Sequence, residues 1–369
     1  MKILKYTILA LIILNLPTVS LFWVSEGLGG AASYLVYALL ALYPILRKEG
    51  GSTNKIMLLL GISYYIISGI NYEYGPVEIK YYFFDLIKYI IFIIGGSRLV
   101  EDTNKFELLI FLLLGTISII IHALFFPDNY GRYSGFYMNP NAAGFIAIIG
   151  YAFTYSLNNK FFKTLTQIIF TIGGIITFSR TFIIIWILVN ILSLRISIKN
   201  VKILAAGAVV FVALITFGEL FSLNTIRLKQ FSSILNNEEG AVTEANDDSR
   251  SDTWALFYED ILEKPFLGNG YLALSGHGLH NQGAHNSFLM ILGEAGIVPF
   301  MLFTGIYLYF LFSGLKLFDS APHILMQAIA VFLFLLTFHN YFVTFYVLIF
   351  TLWMFHEINI KKNIYEKYN

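Results

Sequence analysis

Three arginines and one histidine are the side chains in this sequence best suited to chemistry on an anionic substrate. Arg132 lies in RYSGFYMNPNAAG, Arg180 in TFSRTF and Arg250 in DDSRSDTW, and His285 opens HNSFLMILGEAGI. A guanidinium group keeps its charge and donates paired hydrogen bonds, which suits a diphosphate. A neutral imidazole can accept the proton of an attacking hydroxyl. These residue types predict a site that binds a diphosphate and activates a hydroxyl group.

Asparagines and an acid near these residues extend the candidate site. Asn139 and Asn141 flank a proline in NPNAAG, and this pattern predicts a helix start with one of them as its cap. Backbone N–H groups at such a start can bind an anion. Asn286 follows His285 directly, and Glu294 is an acid inside the apolar run that begins there. We include Asn139, Asn141, Asn286 and Glu294 as substrate-binding candidates.

Each of these residues also has an ordinary structural interpretation. Arginine at a membrane surface often reaches the lipid phosphates, and Asn-Pro-Asn alone is a common boundary between a loop and a helix. A lone His285 is more typical of interfacial packing than of a catalytic base, and Glu294 can pair locally. The functional interpretation therefore depends on the placement of the whole set on one face of the membrane.

The composition is that of a membrane protein. Charged residues make up 13% of the sequence, against about 25% in soluble proteins, and the mean hydropathy is +0.71. We predict an all-α polytopic membrane protein with about twelve transmembrane helices and one long periplasmic loop that carries short helices. The sequence contains no cysteine, which excludes disulfides and cysteine-based metal sites.

The apolar runs divide the chain into three parts. Residues 1–221 hold nine predicted transmembrane helices, residues 222–291 form the loop, and residues 292–369 hold three helices and a cytoplasmic tail. The first run follows two lysines but has no clear small-residue cleavage site, so we expect an uncleaved helix. The alternative interpretation of the last two spans is that they form one broken hairpin. The predicted spans are residues 3–23, 29–46, 55–70, 80–97, 106–126, 142–157, 161–178, 181–198, 200–221, 292–315, 323–338 and 341–357.

The distribution of basic residues orients these helices. With the N-terminus in the cytoplasm, sixteen Lys and Arg side chains fall on the cytoplasmic side, and the short outer loops keep three, Lys80, Arg132 and Arg180. This asymmetry follows the positive-inside rule and predicts that both termini are cytoplasmic. Arg132, Arg180, Arg250 and His285 then share the outer face of the membrane.

The long loop contains one predicted helix. Residues 252–263, DTWALFYEDILE, place Trp254, Phe257, Tyr258 and Ile261 along one side of that helix. The following segment, KPFLGNG, ends it with proline and glycine signals. A loop of this length between compact hairpins is usually functional.

The sequence predicts neither a metal ion nor another cofactor. HGLHNQGAH brings His277, His280 and His285 close together, as zinc sites do, but no carboxylate or cysteine follows at a supporting distance. Asp85 and Lys88 are one helical turn apart and can neutralise each other. We interpret them as a structural pair that faces the bundle, with a proton relay as the alternative.

The ordered set of motifs resembles the O-antigen ligase and polymerase superfamily of bacterial membrane glycosyltransferases. Each motif is weak alone, but their order and spacing together are specific, and the resemblance covers roughly residues 105–355. The matching segments are RYSGFYMNPNAAG (132–144), SRT (179–181), RSDTW (250–254), PFLGNG (265–270) and HNSFLMILGEAGI (285–297).

The resemblance implies a metal-independent, inverting transfer of glycan from undecaprenyl diphosphate to a sugar hydroxyl at the periplasmic face of the bacterial inner membrane. In this chain Arg180 and Arg250 would hold the diphosphate, and His285 would be the base. Arg132 and the Asn139–Asn141 turn would shape the cleft. The implied partners are the lipid-linked oligosaccharide, membrane lipid, a chain-length regulator and a flippase. No nucleic acid is expected.

Three functions remain open at this point. A polymerase joins repeat units that are still on lipid carriers, whereas a ligase moves finished glycan to lipid A–core or to a protein. We favour the polymerase because such chains are apolar and rich in aromatic residues, as this one is. An exporter of lipid-linked sugar should carry charged or broken helices at the bilayer midplane, where only Asp85 and Lys88 are predicted. Trp254 or Tyr258 is the side chain that we expect to stack on a sugar.

Overall fold

The computed structural model describes residues 1–47, 50–72, 78–126, 132–217, 250–276 and 278–368. All regular elements in these ranges are helical, which confirms the all-α prediction for the described part of the chain. The helices, numbered in chain order, are α1 (Lys2–Ile13), α2 (Leu16–Trp23), α3 (Glu26–Leu46), α4 (Lys55–Ile70), α5 (Ile79–Glu101), α6 (Lys105–Phe125), α7 (Pro140–Phe153), α8 (Lys160–Ile176), α9 (Arg180–Leu194), α10 (Val201–Phe217), α11 (Arg250–Ala255), α12 (Tyr258–Glu263), α13 (Ser287–Ala295), α14 (Ile297–Lys316), α15 (Pro322–Leu335) and α16 (Phe345–Tyr368).

Several helices have the length and composition of membrane spans. Within the described ranges, α3, α6 and α14 each meet both requirements, and the bent pair α1 and α2 is a fourth if it is taken as one span. Three further helices, α4, α9 and α15, are apolar but shorter. These helices are consistent with a membrane protein. The predicted count of about twelve spans is not confirmed and stays a prediction.

Two predicted spans are each broken into two helices. The expected span at residues 3–23 bends by 59° between α1 and α2, where Asn15 has a left-handed φ of 53° and Pro17 begins the second helix. The expected span at 292–315 divides at Gly296, whose φ of 73° favours glycine. By contrast, α4 has the predicted bounds, and α16 continues to Tyr368 where a tail was predicted after residue 357.

Helix α7 lies at the centre of the bundle. Every residue from Ala142 to Phe153 is buried, and the helix packs against α6, α8, α9 and α15. A helix that is apolar all round belongs in such a position. Its small residues let the neighbours approach closely, since a Cβ at Gly150 would lie 2.1 Å from the Phe170 ring.

The helix bundle has two opposite ends, which we call its faces. The arginine face is the end that carries Arg132, Arg180 and Arg250. At the opposite face, Lys5 pairs with Glu107 at 2.7 Å, and Arg47 pairs with both Glu101 at 2.6 Å and Asp102 at 2.9 Å. The first ion pair joins the start of α1 to the start of α6, and the other two join the end of α3 to the end of α5.

The segment after residue 249 is more divided than predicted. The single helix expected at 252–263 is two short helices, α11 and α12, that meet at Phe257. Phe257 and Ile261 are buried, Trp254 is half-buried and Tyr258 is exposed, so the four side chains do not form one buried stripe. Residues 222–249 of the predicted loop lie outside the described residues.

The PFLGNG segment docks on the C-terminal end of α13. The backbone N–H of Asn269 donates to the carbonyl of Gly293 at 2.6 Å, and that of Gly270 donates to the carbonyl of Glu294 at 3.1 Å. Gly268 has a φ of 70°, and a Cβ there would lie 2.4 Å from the carbonyl carbon of Glu294. The glycines of this motif therefore permit a close backbone contact, and this contact caps the C-terminal end of α13.

Candidate functional site

Three separate parts of the chain meet at a fourth, residues Thr337–His339, which lies between α15 and α16. Arg250 donates from Nη1 to the carbonyl oxygen of Thr337 at 2.9 Å. The hydroxyl of Thr181, next to Arg180, donates to the Thr337 hydroxyl at 3.3 Å. From the other side, Ser287 donates from Oγ to the carbonyl of Phe338 at 2.6 Å. The described contacts therefore bring the starts of α9, α11 and α13 to one place.

The rings of His285 and His339 are in direct contact. Their centroids are 4.4 Å apart and the ring planes are inclined by 76°. His285 is exposed, whereas His339 is half-buried, and a Cβ at the neighbouring Gly283 would lie 3.0 Å from His339 Nε2. The solvent-facing imidazole thus rests edge to face on a second, more enclosed imidazole.

A second group of contacts ties the Arg132 loop to the start of α9. Asn141 accepts from Arg132 Nη2 at 3.5 Å and from Ser179 Oγ at 3.0 Å. The loop that holds Arg132 is itself fixed by His122, whose Nδ1 accepts from the backbone N–H groups of Ser134 and Gly135 at 3.3 and 3.2 Å. Arg132, Asn141 and the Arg180 turn therefore belong to one structural unit.

Three helices at this face begin in the same way. A residue with left-handed φ precedes a polar N-cap at α7, α9 and α13: Met138 at 54°, Phe178 at 51° and His285 at 46°. Such φ values are uncommon for residues other than glycine and occur often at functional sites. The caps that follow them are Asn139, Ser179 and Asn286.

The N-termini of these three helices place their partial positive charge at the arginine face. Asn139 accepts from the N–H groups of Asn141 and Ala142, and Asn286 accepts from those of the second and third residues of α13. The prediction that Asn139 or Asn141 caps a helix is confirmed for Asn139. Because helix N-termini carry partial positive charge, their convergence with arginines favours an anion.

His339 is a site residue that sequence analysis missed. Burial, His285 and Arg250 together lower the pKa of His339 to about 4, so its imidazole is neutral at ordinary pH. No motif marks it, because FHNYF reads as a simple break between two apolar runs. Its proximity to a histidine and an arginine that come from other segments is the signal, and that signal is visible only in three dimensions.

Arg180 and Trp254, two further residues of the predicted site, differ in their exposure. Arg180 is the first residue of α9 and is exposed. Trp254 is half-buried, and its indole N–H has no hydrogen-bond partner among the described residues. The exposed position of Arg180 suits contact with a bound molecule, whereas the Trp254 N–H is buried.

Glu294 lies beneath the face rather than on it. Its side chain is 0% exposed, accepts from the Tyr64 hydroxyl and accepts from the backbone N–H of Leu274 at 3.1 Å. These contacts join α4, α13 and the segment that leads to His285. We therefore interpret Glu294 as a residue that holds the His285 loop in place, which differs from the predicted substrate contact.

Other polar residues of the predicted set pair with protein groups. His280 bonds Asp260 at 2.8 Å, and His277 lies outside the described residues. Among the described residues, no three His, Asp or Glu side chains cluster closely enough to hold a metal ion. Asp85 contacts Lys88 at 3.1 Å and accepts from the Tyr271 hydroxyl at 2.6 Å. The second contact connects α5 to the segment that precedes His285.

Replacement of the α13 cap should loosen the His285 loop. In Asn286→Ala the two N–H groups of α13 lose their acceptor, so we expect a loss of about 1 kcal/mol in the free energy of unfolding. Asn286→Asp keeps an acceptor and should stay close to wild type. Thermal unfolding of the detergent-solubilised protein measures both variants. Equal stability of Asn286→Ala and wild type would contradict the capping role.

A protein-family model matches part of the chain. Residues 165–304 match the family model described as O-Antigen ligase, and no curated protein matches the chain significantly. The matched range contains Arg180, Arg250 and His285, whereas the Arg132 and Asn139–Asn141 loop lies before it. This match confirms the resemblance of the chain to the O-antigen ligase and polymerase superfamily, and it does not distinguish a polymerase from a ligase.

Proposed function

We propose that this protein is a membrane glycosyltransferase that moves a glycan from undecaprenyl diphosphate onto a sugar hydroxyl at the periplasmic face of the bacterial inner membrane. The observation that carries the proposal is the convergence of Arg250, the Arg180 turn and His285 on Thr337–His339. The transfer requires fixed positive charge for the leaving diphosphate and, beside it, an exposed imidazole for the acceptor hydroxyl.

The leaving diphosphate is the first chemical requirement. As the bond between the anomeric carbon and the diphosphate oxygen breaks, its electron pair and negative charge pass to the lipid diphosphate. Arg250 and Arg180 offset this charge, with Arg132 and the N-termini of α7 and α9 beside them. Charge that is already in position stabilises the transition state without the cost of reorganisation.

Activation of the acceptor hydroxyl is the second requirement. His285 takes the hydroxyl proton while the oxygen forms its bond to the anomeric carbon on the face opposite the diphosphate, so the configuration inverts. The contact with His339 limits the orientations of the His285 ring. Because His339 is uncharged at neutral pH, it does not add a like charge that would oppose protonation of His285.

The acceptor defines two versions of this function. In the polymerase version, which we favour, the acceptor is a second lipid-linked repeat unit, and a chain-length regulator and a flippase are the expected partners. In the ligase version the acceptor is lipid A–core or a protein. The matching family model is described as O-Antigen ligase, and this match leaves the acceptor open.

A gene deletion separates these versions. The surface glycolipid of a strain that lacks this gene is resolved by gel electrophoresis, with wild type or His285→Ala supplied on a plasmid. Core that carries a single repeat unit, with the ladder restored by wild type, is the result expected for a polymerase. Bare core with polymer retained on the lipid carrier identifies a ligase.

The histidine variant tests the chemistry in either version. His285→Ala should insert in the membrane at wild-type levels, as measured by immunoblot of the membrane fraction, and should fail to restore the product. Lys160→Ala, which removes an exposed cation from the opposite face, is the matched control and should restore it fully. Full rescue by His285→Ala would overturn the assignment of His285 as the base.

A further inference from the structure

Four apolar side chains on α12 or just after it are exposed, and together we call them the α12 patch. They are Tyr258, Leu262, Phe266 and Leu267, of which Leu262 is 75% exposed and Phe266 is 73% exposed. A single exposed apolar side chain is ordinary, but a group of large ones usually marks a surface that contacts protein or lipid. The contacts that carry the proposed function use none of these four residues.

Helix α12 has three distinct sides. Residues four apart lie on the same side of a helix, so Tyr258 and Leu262 share one side. Glu259 and Glu263 share the next side, and all four of these residues are exposed. Ile261 lies on the third side and is buried. An exposed apolar side next to an exposed charged side is the arrangement of a helix that lies at the boundary between lipid and water.

One side of α14 shows where the lipid lies. This helix has the length and composition of a membrane span. A Cβ added at Gly305 would meet nothing within 4 Å, so this position is also open. Residues that recur at three- and four-residue intervals lie along one side of a helix, and exposed apolar side chains of a span on such a side face the bilayer. The exposed apolar side chains of α14 are Val298, Met301, Leu308, Phe312 and Leu315.

The end of the α12 patch adjoins the start of this lipid-facing side. The carbonyl of Pro265 accepts from the backbone N–H of Ile297, the first residue of α14, at 3.0 Å. Gly296 leaves no room for a Cβ because the carbonyl of Phe266 lies against it. The exposed Phe266 is therefore attached to the first turn of α14, where Val298 begins the lipid-facing side. The two apolar surfaces are continuous along the chain contacts.

Contacts on its other side hold α12 in place. Asp260 Oδ2 lies 2.8 Å from His280 Nε2, and Asn269 donates from Nδ2 to the carbonyl of Asp260 at 2.8 Å. The Phe257 ring, at the start of α12, lies edge to face with the His280 ring at 4.9 Å. The α12 patch is thus exposed on a helix whose buried side is already bound to the protein.

We propose that the α12 patch inserts into the outer leaflet of the bilayer, so that α12 lies along the membrane surface and anchors the long loop there. Its continuity with the lipid-facing side of α14 favours lipid over a soluble protein as the occupant. The nearby charged residues Glu259, Glu263 and Lys264 give no excess of positive charge. The insertion is therefore driven by apolar burial and not by attraction to anionic lipid.

This anchor connects directly to two residues of the candidate site. Arg250 begins α11, which leads into α12. Ala284, the residue before His285, belongs to the same buried cluster as Phe257 and Ile261. Insertion of α12 therefore keeps Arg250 and His285 near the level of the lipid headgroups, where a lipid diphosphate lies. This consequence rests on the proposed function, whereas the insertion itself needs only the membrane topology.

The test measures the depth of single side chains in the bilayer. Because the sequence contains no cysteine, a nitroxide spin label can be attached to Leu262→Cys, Phe266→Cys or Glu259→Cys in the full-length protein. Each variant is reconstituted in phosphatidylcholine vesicles, and electron paramagnetic resonance measures collisions of the label with oxygen, which is enriched in the bilayer, and with a water-soluble nickel chelate. Labels at Leu262 and Phe266 should lie about 5–10 Å into the boundary between headgroups and acyl chains. The label at Glu259, the matched control on the same helix, should lie in water.

Each other outcome contradicts the insertion. Labels at all three positions that collide mainly with the nickel chelate would place α12 in water. Labels at Leu262 and Phe266 that are protected from both reagents would show that protein covers the patch. The wild-type protein gives a second measurement: a phosphatidylcholine with a photoreactive group near the glycerol end of its acyl chain should crosslink within residues 258–267. Crosslinks confined to the membrane-spanning helices would overturn the proposal. Neither measurement depends on glycan transfer, so the proposed function can fail while the insertion is confirmed.

Discussion

Arg250→Ala should lower kcat for glycan transfer by on the order of 100- to 1,000-fold, the usual cost of removing one group that stabilises developing negative charge. The structure places Arg250 against the carbonyl of Thr337 at 2.9 Å, close to the His285–His339 pair. This bond positions the guanidinium group beside the proposed diphosphate site. The measurement is conversion of lipid-linked oligosaccharide by protein reconstituted in vesicles.

The effect of charge must be separated from the effect of the contact with Thr337. Arg250→Lys keeps the charge but loses the planar fork, so we expect an intermediate kcat. Thr181→Val removes the neighbouring hydroxyl contact to Thr337 without a change of charge, and it should cost at most about 1 kcal/mol of stability. If Thr181→Val lowers kcat as much as Arg250→Ala does, the junction matters through its structure and the assigned role of Arg250 is wrong.

The sequence predicts the helices better than it predicts their interruptions. Helix α4 has the predicted bounds because a long apolar run between polar residues leaves few alternatives. The breaks at Asn15 and Gly296 depend on single residues with left-handed φ. A run of hydropathy does not reveal them, since the residues on both sides are equally apolar.

The same distinction applies to the candidate site. Arg180, Arg250 and His285 are identifiable because arginine and histidine are unusual beside apolar runs, and their common face follows from the charge distribution. His339 and Thr337 are not identifiable, because their roles arise from a contact between segments that are distant in sequence. Glu294 is the opposite case. The sequence suggests a substrate contact because an acid is unusual in an apolar run. Its burial and its hydrogen bond with Tyr64 instead indicate a structural role in holding the His285 loop.

The two histidines should differ sharply in their effect on the reaction. His285→Gln removes the proposed base but keeps a polar side chain of similar size, and we expect kcat to fall by about 100- to 10,000-fold. His339→Gln leaves the base in place and removes the ring that it rests on. It should therefore have a smaller effect, on the order of tenfold, from less restricted orientation of His285.

The pH dependence of kcat decides which imidazole is the base. The pKa of His339 is lowered to about 4 by burial, His285 and Arg250, so His339 gains a proton only as the pH falls toward 4 and is neutral above about pH 5. Replacement of a neutral ring should leave the acid limb of the profile above pH 5 in the same position in His339→Gln as in wild type. If His339 were the base, activity in wild type would persist down to about pH 4, and His339→Gln would be as damaging as His285→Gln. That pair of results would transfer the catalytic role from the exposed histidine to the enclosed one.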